Sequence, residues 1–443
     1  MSNTYADFKN SSSGPMQQSN ALYERALKTI PLASQTFSKS AQQYVGGVSP
    51  LFVERGDGCK VWDVDGNEYI DFVLGLMPVV LGYRDRSVDD AIRAQLDKGI
   101  TFSLATELEA ELAERLVRLI PCAEKVRFGK NGSDATLAAT RLARAHTGRD
   151  KIAMCGYHGW HDWSIGTTTR NLGIPKAVRD LTLTFPFNDI EALDALFRKQ
   201  AGQIAAVIME PASVVDPHPG YLEAIKELTH RNGALLIFDE IVTGFRAGLG
   251  GAQSRYGVTP DLASFGKAMG NGMPISAVVG GADVMDLMEE IFFSATFGGE
   301  ALSLAASIAT LDKLEEVNGV PHMEETSVRI GDGIGKIFTE HNISEYYAIG
   351  GPDWWKRIVP LPDQKIDAVT LTSLLRQELI ANGLLMLSGF NICHAHCDDA
   401  ITDSVFAKFE NVATKLEDAL KARNPIDRLN GAPVQPVFQV RKS

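Results

Sequence analysis

The sequence predicts an α/β fold built around a mostly parallel sheet, and three observations support this. Between residues 125 and 281, short apolar runs alternate with helical segments, as in strands joined by crossover helices. Several runs are apolar at nearly every position, which is typical of strands buried on both faces of a sheet. Of the 443 residues, 45% are hydrophobic and 22% charged, an ordinary composition for a globular chain. The predicted strands are 126–128, 151–154, 181–185, 205–209, 234–238, 262–265 and 277–280.

Segments on both sides of this region predict a second, smaller α+β domain. Residues 52–72 carry β-branched and apolar residues around two turn signals, Gly56-Asp57-Gly58 and Asp65-Gly66, which predict two hairpins or a meander. Helices are predicted at 21–32, 89–98, 106–119, 302–317 and 401–422. The predicted organisation is a disordered tail at 1–20, an N-terminal segment of the small domain at 21–88, a large domain at 89–320, a C-terminal small domain at 321–432 and a tail at 433–443.

The charge balance excludes some classes of function. With 43 Lys and Arg against 55 Asp and Glu, the net charge is −12, which argues against a broad surface for nucleic acid or an anionic membrane. No apolar stretch is long enough to span a bilayer, and the N-terminus lacks the apolar core of a secretory signal. The five cysteines are sparse and odd in number, so a reducing cytoplasm is expected rather than a disulfide framework.

Candidate site residues follow the predicted strands, because ligands of such sheets bind beyond the carboxyl ends of the strands. Gly132 and Ser133 begin a helix after the first strand, and a helix N-terminus suits a phosphate; the alternative is a plain helix cap. Tyr157 and His158 follow the second strand, where they would stack on a planar ring or simply pack in an aromatic turn.

Two further positions carry ionisable groups. Asp239 ends the most apolar run, where a carboxylate is costly unless paired, and a protonated ring nitrogen would pair it; the alternative is a helix-capping acid. Lys267 lies 28 residues later, between a short strand and a Gly-rich turn. A lysine in a partly dry site has a lowered pKa and attacks carbonyls as the free amine, although a solvated surface lysine is the simpler reading. Together, the four positions are the parts of a pyridoxal-phosphate site.

From about Tyr44 to Ala422, the sequence resembles the class III aminotransferases of the fold-type I pyridoxal-phosphate enzymes. Within that group it is most similar to glutamate-1-semialdehyde aminomutase. The resemblance implies a large domain with a mixed, mostly parallel sheet, a smaller α+β domain and a pyridoxal 5'-phosphate cofactor. The matching segments include 50–55, 106–107, 141–144, 157–159, 239–246 and 266–267.

The resemblance also implies roles for individual residues. Lys267 would form the Schiff base and move protons, Asp239 would keep the pyridine nitrogen protonated, and Tyr157 would complete the catalytic set. Ile241 and Tyr157 would pack on opposite faces of the ring.

Five more residues would contact the cofactor by the same resemblance. Gly132 and Ser133 would bind the phosphate, and His158 and Glu210 would lie near the ring. Thr296 would reach the phosphate from the neighbouring subunit, which implies a homodimer with shared active sites. The amino donor would be an amino acid, with glutamate expected, and the acceptor a small carbonyl compound.

Three departures from the aminomutase pattern bear on the substrate. The aminomutase's Gly/Ser-rich gating loop, which retains its intermediate, is replaced by residues 163–175, and this favours transamination with release. Leu76 stands where the aminomutase has Trp, and Lys39 is the nearest basic residue to its carboxylate-binding Arg. The late Arg with which many ω-aminotransferases bind α-carboxylates is not identifiable.

A shortened loop of this kind is found in the aminotransferase that makes 8-amino-3,8-dideoxy-manno-octulosonate, a lipopolysaccharide sugar acid. A carbohydrate-type acceptor such as an 8-oxo-3,8-dideoxy-octulosonate is therefore expected. The polar residues 167–171 would hydrogen-bond its hydroxyls, or else form a capped surface loop. The alternatives are a glutamate-1-semialdehyde 2,1-aminomutase and a non-catalytic pyridoxal-phosphate protein.

The segment Cys393-His394-Ala395-His396-Cys397 has the residue types of a metal site. On a strand, adjacent side chains point to alternating faces, so the four ligands would not converge on one tetrahedral ion. No metal is therefore predicted.

Overall fold

The computed structural model describes residues 16–422 and 424–435. Residues 1–15 of the predicted N-terminal tail and 436–443 of the predicted C-terminal tail lie outside this range. The first helix begins at Gln17, four residues before the predicted start. Asp65 explains the difference, because its carboxylate accepts the backbone N–H groups of Gln18 (2.6 Å) and Ser19 (2.9 Å). This cap comes from a residue distant in the sequence, so local pattern does not reveal it.

Strands and helices alternate through the middle of the chain. The strands are β1 (Val53–Asp57), β2 (Lys60–Asp63), β3 (Glu68–Asp71), β4 (Lys125–Gly129), β5 (Lys151–Cys155), β6 (Thr182–Thr184), β7 (Ile204–Met209), β8 (Leu235–Asp239), β9 (Leu262–Phe265), β10 (Ser276–Gly280), β11 (Tyr347–Gly350), β12 (Arg357–Pro360) and β13 (Leu384–Leu385). The α-helices are α1 (Gln17–Leu27), α2 (Arg86–Leu96), α3 (Glu107–Leu119), α4 (Gly132–Thr147), α5 (Asp162–Ile165), α6 (Lys176–Arg179), α7 (Ile190–Lys199), α8 (Tyr221–Arg231), α9 (Ala252–Tyr256), α10 (Ala282–Met285), α11 (Ala301–Glu316), α12 (Gly319–Glu340), α13 (Ala368–Ala381) and α14 (Asp399–Leu420).

The described residues form two compact units. The smaller unit takes in the described residues up to 76, residues 82–84, and those from 322 onward. The larger unit takes in residues 77–81 and 85–321.

The larger unit contains a seven-stranded sheet in the order β4-β10-β9-β8-β7-β5-β6. β5 pairs in parallel with β6 and β7, and β8 pairs in parallel with β7 and β9. β10 is antiparallel to both β4 and β9, so the sheet is mixed but mostly parallel, as predicted. Every residue of β7 and of β9 is buried, which matches the uninterrupted apolar sequence of β7; β9 contains one polar residue, Ser264.

The smaller unit contains a four-stranded sheet in the order β1-β2-β3-β13. β1, β2 and β3 form the predicted meander, with β2 antiparallel to both neighbours. β13 adds in parallel to β3, although more than 300 residues separate the two strands. β11 and β12 form a separate antiparallel pair. Among the described residues, no helix is long and apolar enough to cross a membrane.

Candidate active site

Five predicted site positions lie at one edge of the seven-stranded sheet. Ser133, Tyr157, Glu210, Asp239 and Lys267 are at or just beyond the ends of β4, β5, β7, β8 and β9, respectively. These strands run in the same direction, so their carboxyl ends share one edge. The sheet topology therefore gathers residues that are up to 134 positions apart in the sequence.

The turn between β4 and α4 leads into a capped helix start. Asn131 is the N-cap residue, and it forms a capping box with Asp134, whose carboxylate accepts the Asn131 N–H at 2.7 Å. Gly132 and Ser133 are the first residues of α4, a 16-residue helix, so their N–H groups are at its positive end. The side chain of Ser133 is also fixed, because its Oγ accepts the Trp160 N–H at 3.2 Å.

Two glycines leave space around the Ile241 side chain. A Cβ at Gly132 would be 3.0 Å from Ile241 Cδ1 and Cγ2, and a Cβ at Gly266 would be 3.1 Å from Ile241 Cδ1. Ile241 therefore lies between the start of α4 and the residue preceding Lys267. A larger residue at either glycine would displace it.

Asp239 is held by a buried histidine. Asp239 is only 4% exposed, and its Oδ2 lies 2.7 Å from His158 Nδ1. The other oxygen, Oδ1, accepts the Ile241 N–H at 3.1 Å. His158 itself is fixed by a second contact, between its Nε2 and the Cys155 carbonyl oxygen at 2.9 Å.

These contacts determine the protonation of His158. A carbonyl oxygen only accepts, so Nε2 carries a proton, and an ionised Asp239 requires a second proton on Nδ1. Burial acts to lower the pKa of His158, but the hydrogen bond and negative charge of Asp239 outweigh it and the pKa is raised. The two ring nitrogens of His158 thus join Asp239 Oδ2 to the Cys155 carbonyl oxygen at the sheet edge. The sequence suggested that His158 stacks on a planar ring, whereas in the structure its Nδ1 contacts the Asp239 carboxylate.

Lys267 is in an unusual backbone conformation and a partly dry site. Its φ is +39°, in the left-handed region that non-glycine residues rarely adopt. Burial lowers the pKa of Lys267, and the positive charge of Arg246 acts in the same direction, while the carboxylates of Glu210 and Asp239 oppose the shift. The net lowering increases the fraction of the amine that is unprotonated and nucleophilic.

Glu210 and Tyr157 complete the group around Lys267. Burial and the charge of Asp239 raise the pKa of Glu210, while His158 and Lys267 favour its ionised form. Burial and the same aspartate raise the pKa of the Tyr157 hydroxyl, although the residue is 40% exposed. An aromatic ring partly open to solvent is available to a ligand.

Thr296 lies two residues before Gly298, where a Cβ would be 3.2 Å from the Phe128 carbonyl oxygen of β4. It is exposed, in the loop that precedes α11. The loop is anchored at both ends: Arg141 donates to the Phe292 carbonyl at 3.1 Å, and Lys130 forms an ion pair with Glu300 at 2.9 Å. Its exposed position leaves it available to a second molecule.

Sequence analysis assigned no role to Arg246 and Asn271, whose side chains form hydrogen bonds with the backbone of residues 77–81. The Arg246 guanidinium donates to the Met77 carbonyl at 2.6 Å. Asn271 Oδ1 accepts the N–H groups of Val80 and Leu81, both at 2.9 Å. Residues 77–81 are thus fixed by one residue that follows Asp239 and one that follows Lys267. The only sequence signal was the position of both residues in turns just after the functional strands.

The Cys393–Cys397 segment differs from the prediction. It was expected to be a strand, but residues His394–Cys397 form a 3₁₀ turn. The side chain of His396 is buried and stacks on Phe72, with ring centroids 4.7 Å apart. Within residues 16–422 and 424–435, no group of three or more His, Cys, Asp or Glu is arranged to hold a metal ion.

Comparison with known proteins defines the family. Residues 42–345 match the family described as aminotransferase class-III. The chain belongs to the class-III aminotransferases. One relative is the 3-aminobutyryl-CoA aminotransferase of Cloacimonas acidaminovorans (strain Evry), which is 37% identical over 90% of this chain and 97% of the relative. Another is the glutamate-1-semialdehyde 2,1-aminomutase 2 of an Exiguobacterium species (strain ATCC BAA-1283 / AT1b), 42% identical over 67% of this chain and 72% of the relative.

A solved structure extends the comparison to the cofactor. The FumI protein of Sphingopyxis sp. MTA144, solved in its PLP internal aldimine form, is 28% identical and has a TM-score of 0.85. The alignment covers 92% of this class-III aminotransferase and 98% of FumI. The predicted family, fold type and pyridoxal-phosphate cofactor are therefore confirmed.

The residues present fit this cofactor. The glycines at 132 and 266 make room for the Ile241 side chain beside the α4 start, which offers N–H groups to a phosphate. Asp239 offers a carboxyl group, fixed by two contacts, to a ring nitrogen, and Lys267 offers an amine of lowered pKa. When bound, pyridoxal phosphate supplies a carbonyl that condenses with amines and a ring that withdraws electrons from the attached carbon.

Proposed function

We propose that this class-III aminotransferase transfers an amino group between glutamate and the carbonyl carbon of a 3-oxo acid or its acyl thioester. The observation that carries the substrate class is the similarity to 3-aminobutyryl-CoA aminotransferase across nearly the full length of both chains. The aminomutase relative aligns over only about two thirds of this chain. A 3-oxo acyl compound is the carbonyl partner of a 3-amino acyl compound, so it follows from that relative's name.

In this proposal, some site residues bind the cofactor and others transfer protons. The N–H groups of Gly132 and Ser133 bind the cofactor phosphate, and the Ile241 and Tyr157 side chains flank the ring. Asp239 faces the ring nitrogen, and its position is fixed by His158 Nδ1, which lies 2.7 Å from its Oδ2.

In this proposal, Lys267 Nζ forms the covalent bond and transfers protons. Its lowered pKa provides a neutral amine that is able to attack a carbonyl carbon and, once released, to accept a proton from the substrate carbon. The carboxylates of Glu210 and Asp239 act against this lowering of the Lys267 pKa. Lys267 begins a 3₁₀ turn, residues 267–270, and has a positive φ.

The fold of residues 160–175 supports transamination over internal amino transfer. This segment contains the short helix α5 and is closed locally. Thr182 Oγ1 donates to the Trp163 carbonyl at 2.7 Å, and Thr167 Oγ1 donates to the Ser164 carbonyl at 2.8 Å. Residues 163–175 also lack the Gly/Ser-rich sequence of the aminomutase's gating loop, so product release is expected.

The carbohydrate-type acceptor expected from the sequence is not supported. The hydroxyls of Thr167 and Thr168 donate to neighbouring backbone carbonyls at 2.8 Å, and both residues are buried. They are therefore already bonded and are not free for sugar hydroxyls. The relatives compared above act, by their names, on an acyl-CoA compound and on glutamate-1-semialdehyde.

A homodimer with shared active sites is part of the proposal. Phe292 and Phe297, in the same loop as Thr296, are 83% and 56% exposed. Exposed phenylalanines beside an exposed threonine are better explained by burial against a second copy than by solvent. The hydroxyl of Thr296 would then contact the phosphate bound by the partner.

A two-step spectroscopic experiment tests the function. The holoenzyme is first converted by glutamate to its pyridoxamine form, and separate samples then receive a 3-oxo acyl thioester, glutamate-1-semialdehyde or a sugar aldehyde. We expect recovery of the aldehyde-form spectrum, and a 3-amino product by mass spectrometry, with the 3-oxo compound. Recovery only with the sugar aldehyde would refute the acceptor class. Isomerisation of glutamate-1-semialdehyde without any other amine would establish the aminomutase.

A further inference from the structure

The loop after β8 packs against the strand that leads to Lys267. Gly244 lies directly beside Phe265, the last residue of β9, because a Cβ at Gly244 would be only 2.5 Å from Phe265 Cδ1. The neighbouring Phe245 is fully buried, and its ring centre is 5.5 Å from that of Phe265. Since Phe265 is two residues before Lys267, this packing places the next loop residue, Arg246, near the start of the Lys267 turn.

Phe245 has a backbone conformation that bulky residues rarely adopt. Its φ is +60°, and such strain persists only where the surrounding structure enforces it. Here the loop is closed by its own hydrogen bonds. The Thr243 hydroxyl donates to the Glu240 carboxylate, and the Arg246 N–H donates to the Thr243 carbonyl at 3.1 Å. The fold therefore determines the direction in which the Arg246 side chain leaves the loop.

The Arg246 side chain is buried and bonds to the backbone of residues 77–81, which belong to the same compact unit. Its Nη2 donates to the Met77 carbonyl at 2.6 Å and to the Val79 carbonyl at 3.4 Å. Carbonyl oxygens are neutral acceptors. These two bonds therefore hold the guanidinium without neutralising its charge.

Residues 77–81 also contact the chain just after the Lys267 turn. The 3₁₀ turn that begins at Lys267 ends immediately before Asn271. Asn271 Oδ1 accepts two N–H groups of residues 77–81, each at 2.9 Å, and a Cβ at Gly272 would be 3.7 Å from Val79 Cγ2. Contacts that start from the loop after β8 thus reach this turn at both of its ends.

We propose that Arg246 is a positioning residue for amino transfer: it holds the Lys267 turn through residues 77–81 and keeps a positive charge next to that turn. Three charged side chains act on the Lys267 amine. The carboxylates of Glu210 and Asp239 favour its protonated form, and the guanidinium of Arg246 disfavours it. The neutral amine is the form that attacks a carbonyl carbon. The inference rests on the proposed role of Lys267 but not on the identity of the acceptor.

The charge of Arg246 adds to an effect of burial. Burial is the main cause of the lowered pKa of Lys267, and Arg246 acts in the same direction. The other titratable groups at this edge act on the two carboxylates: His158 on both, and Tyr157 on Asp239. Without the charge of Arg246, the carboxylates would be opposed by burial alone, so the pKa of Lys267 should rise.

The pH dependence of cofactor attachment tests this inference. Pyridoxal phosphate is added to the full chain after its cofactor has been removed, and samples are quenched with borohydride at set times. The trapped cofactor then gives a rate of attachment at each pH. We expect Arg246→Gln to move the midpoint of this profile upward by about one pH unit. Below both midpoints, the rate should then be about tenfold lower than in the wild type. Arg246→Lys keeps the charge and should keep the wild-type midpoint.

Two control variants separate the charge from the structure. Asn271→Gly removes an anchor of residues 77–81 without backbone strain, because glycine readily adopts the φ of +44° found there. Like both Arg246 variants, it should increase amide hydrogen exchange in residues 77–81, but it should leave the midpoint unchanged. Arg255→Gln removes an exposed arginine of α9, which donates to the Ala247 carbonyl at 3.4 Å, and should change neither measurement.

A wild-type midpoint in Arg246→Gln would overturn the proposed role of the charge. An equal shift in Arg246→Lys or Asn271→Gly would also overturn it, because the shift would then come from loosening of the turn. Unchanged hydrogen exchange in residues 77–81 of Arg246→Gln would refute the holding role. If circular dichroism shows that Arg246→Gln does not fold, Arg246→Lys decides: faster exchange with a wild-type midpoint supports the proposal, and a shifted midpoint contradicts it. The expected profiles without amino transfer to a 3-oxo acyl compound would count against the proposed acceptor class alone.

Discussion

Replacing His158 with alanine should destabilise the protein strongly and in a pH-dependent way. The substitution removes the 2.7 Å contact with Asp239 and the 2.9 Å contact with the Cys155 carbonyl. A hydrogen bond to a charged group contributes about 1.5–3 kcal/mol and a neutral one about 1 kcal/mol. The sum, about 2.5–4 kcal/mol, agrees with the roughly 3–5 kcal/mol cost of removing one partner of a buried ion pair.

The pH dependence follows from the raised pKa of His158. In the folded protein the imidazole holds its proton more tightly than the unfolded chain does, whose histidine pKa is about 6.5. The contribution is therefore complete below about pH 6.5 and is lost as the pH rises through the folded value. In that window the stability of the wild type should fall by up to about 1.4 kcal/mol per pH unit relative to the variant.

Urea unfolding followed by circular dichroism at several pH values between 6 and 9 measures both effects. His161→Ala is the control, since His161 is also next to an aspartate but its Nε2 is 3.7 Å from Asp134 and it is only partly buried. We expect the control to lie close to the wild type. If His158→Ala unfolds within about 0.5 kcal/mol of the wild type, or keeps the same pH slope, the buried imidazolium pair does not exist.

Three further predictions concern the cofactor. Lys267→Ala should abolish borohydride trapping of the cofactor, while Lys130→Ala, which removes an ion-paired lysine near the phosphate turn, should still be trapped; trapping in Lys267→Ala would move the Schiff base to another lysine. Asp239→Asn should reduce turnover far more than cofactor affinity, measured by activity and equilibrium dialysis, and equal losses would argue against a role at the ring nitrogen. Gly132→Val should weaken cofactor binding about tenfold or more, because displacing Ile241 costs about 1–3 kcal/mol. Gly335→Ala is the control, because its Cβ would make only an ordinary contact at 3.6 Å. In the same dialysis assay, this control should leave cofactor affinity unchanged.

The strands of the larger sheet were predictable because burial on both faces imposes an apolar sequence. The predicted run 262–265 coincides with β9, and 205–209 differs from β7 by one residue. The position of a reactive group just after each strand was predictable for the same reason. Parallel strands bring these groups together whatever their separation in sequence.

Contacts between distant residues were not predictable in this way. The partner of Asp239 is a histidine 81 residues before it, and no local pattern identifies that pair. The direction of β10 depends on the short turn after Lys267, which is long enough for a hairpin return but not for a crossover helix. The Cys393–Cys397 segment was misread because its apolar and β-like neighbours extend only to Ile392, after which the chain turns.

Glu240 shows how the strand tip is kept in register. Its buried carboxylate accepts the N–H groups of Ala252 at 2.8 Å and Gln253 at 3.0 Å, so it closes the loop that begins after Asp239. Asp239 and Glu240 are adjacent in sequence, but their carboxylates have different partners: His158 for Asp239, and the loop N–H groups for Glu240. A one-residue slip of β8 would lose both sets of contacts at once. For protein engineering, the Asp239-Glu240 pair has to be transplanted intact together with Ile241 and Arg246, which the same loop carries.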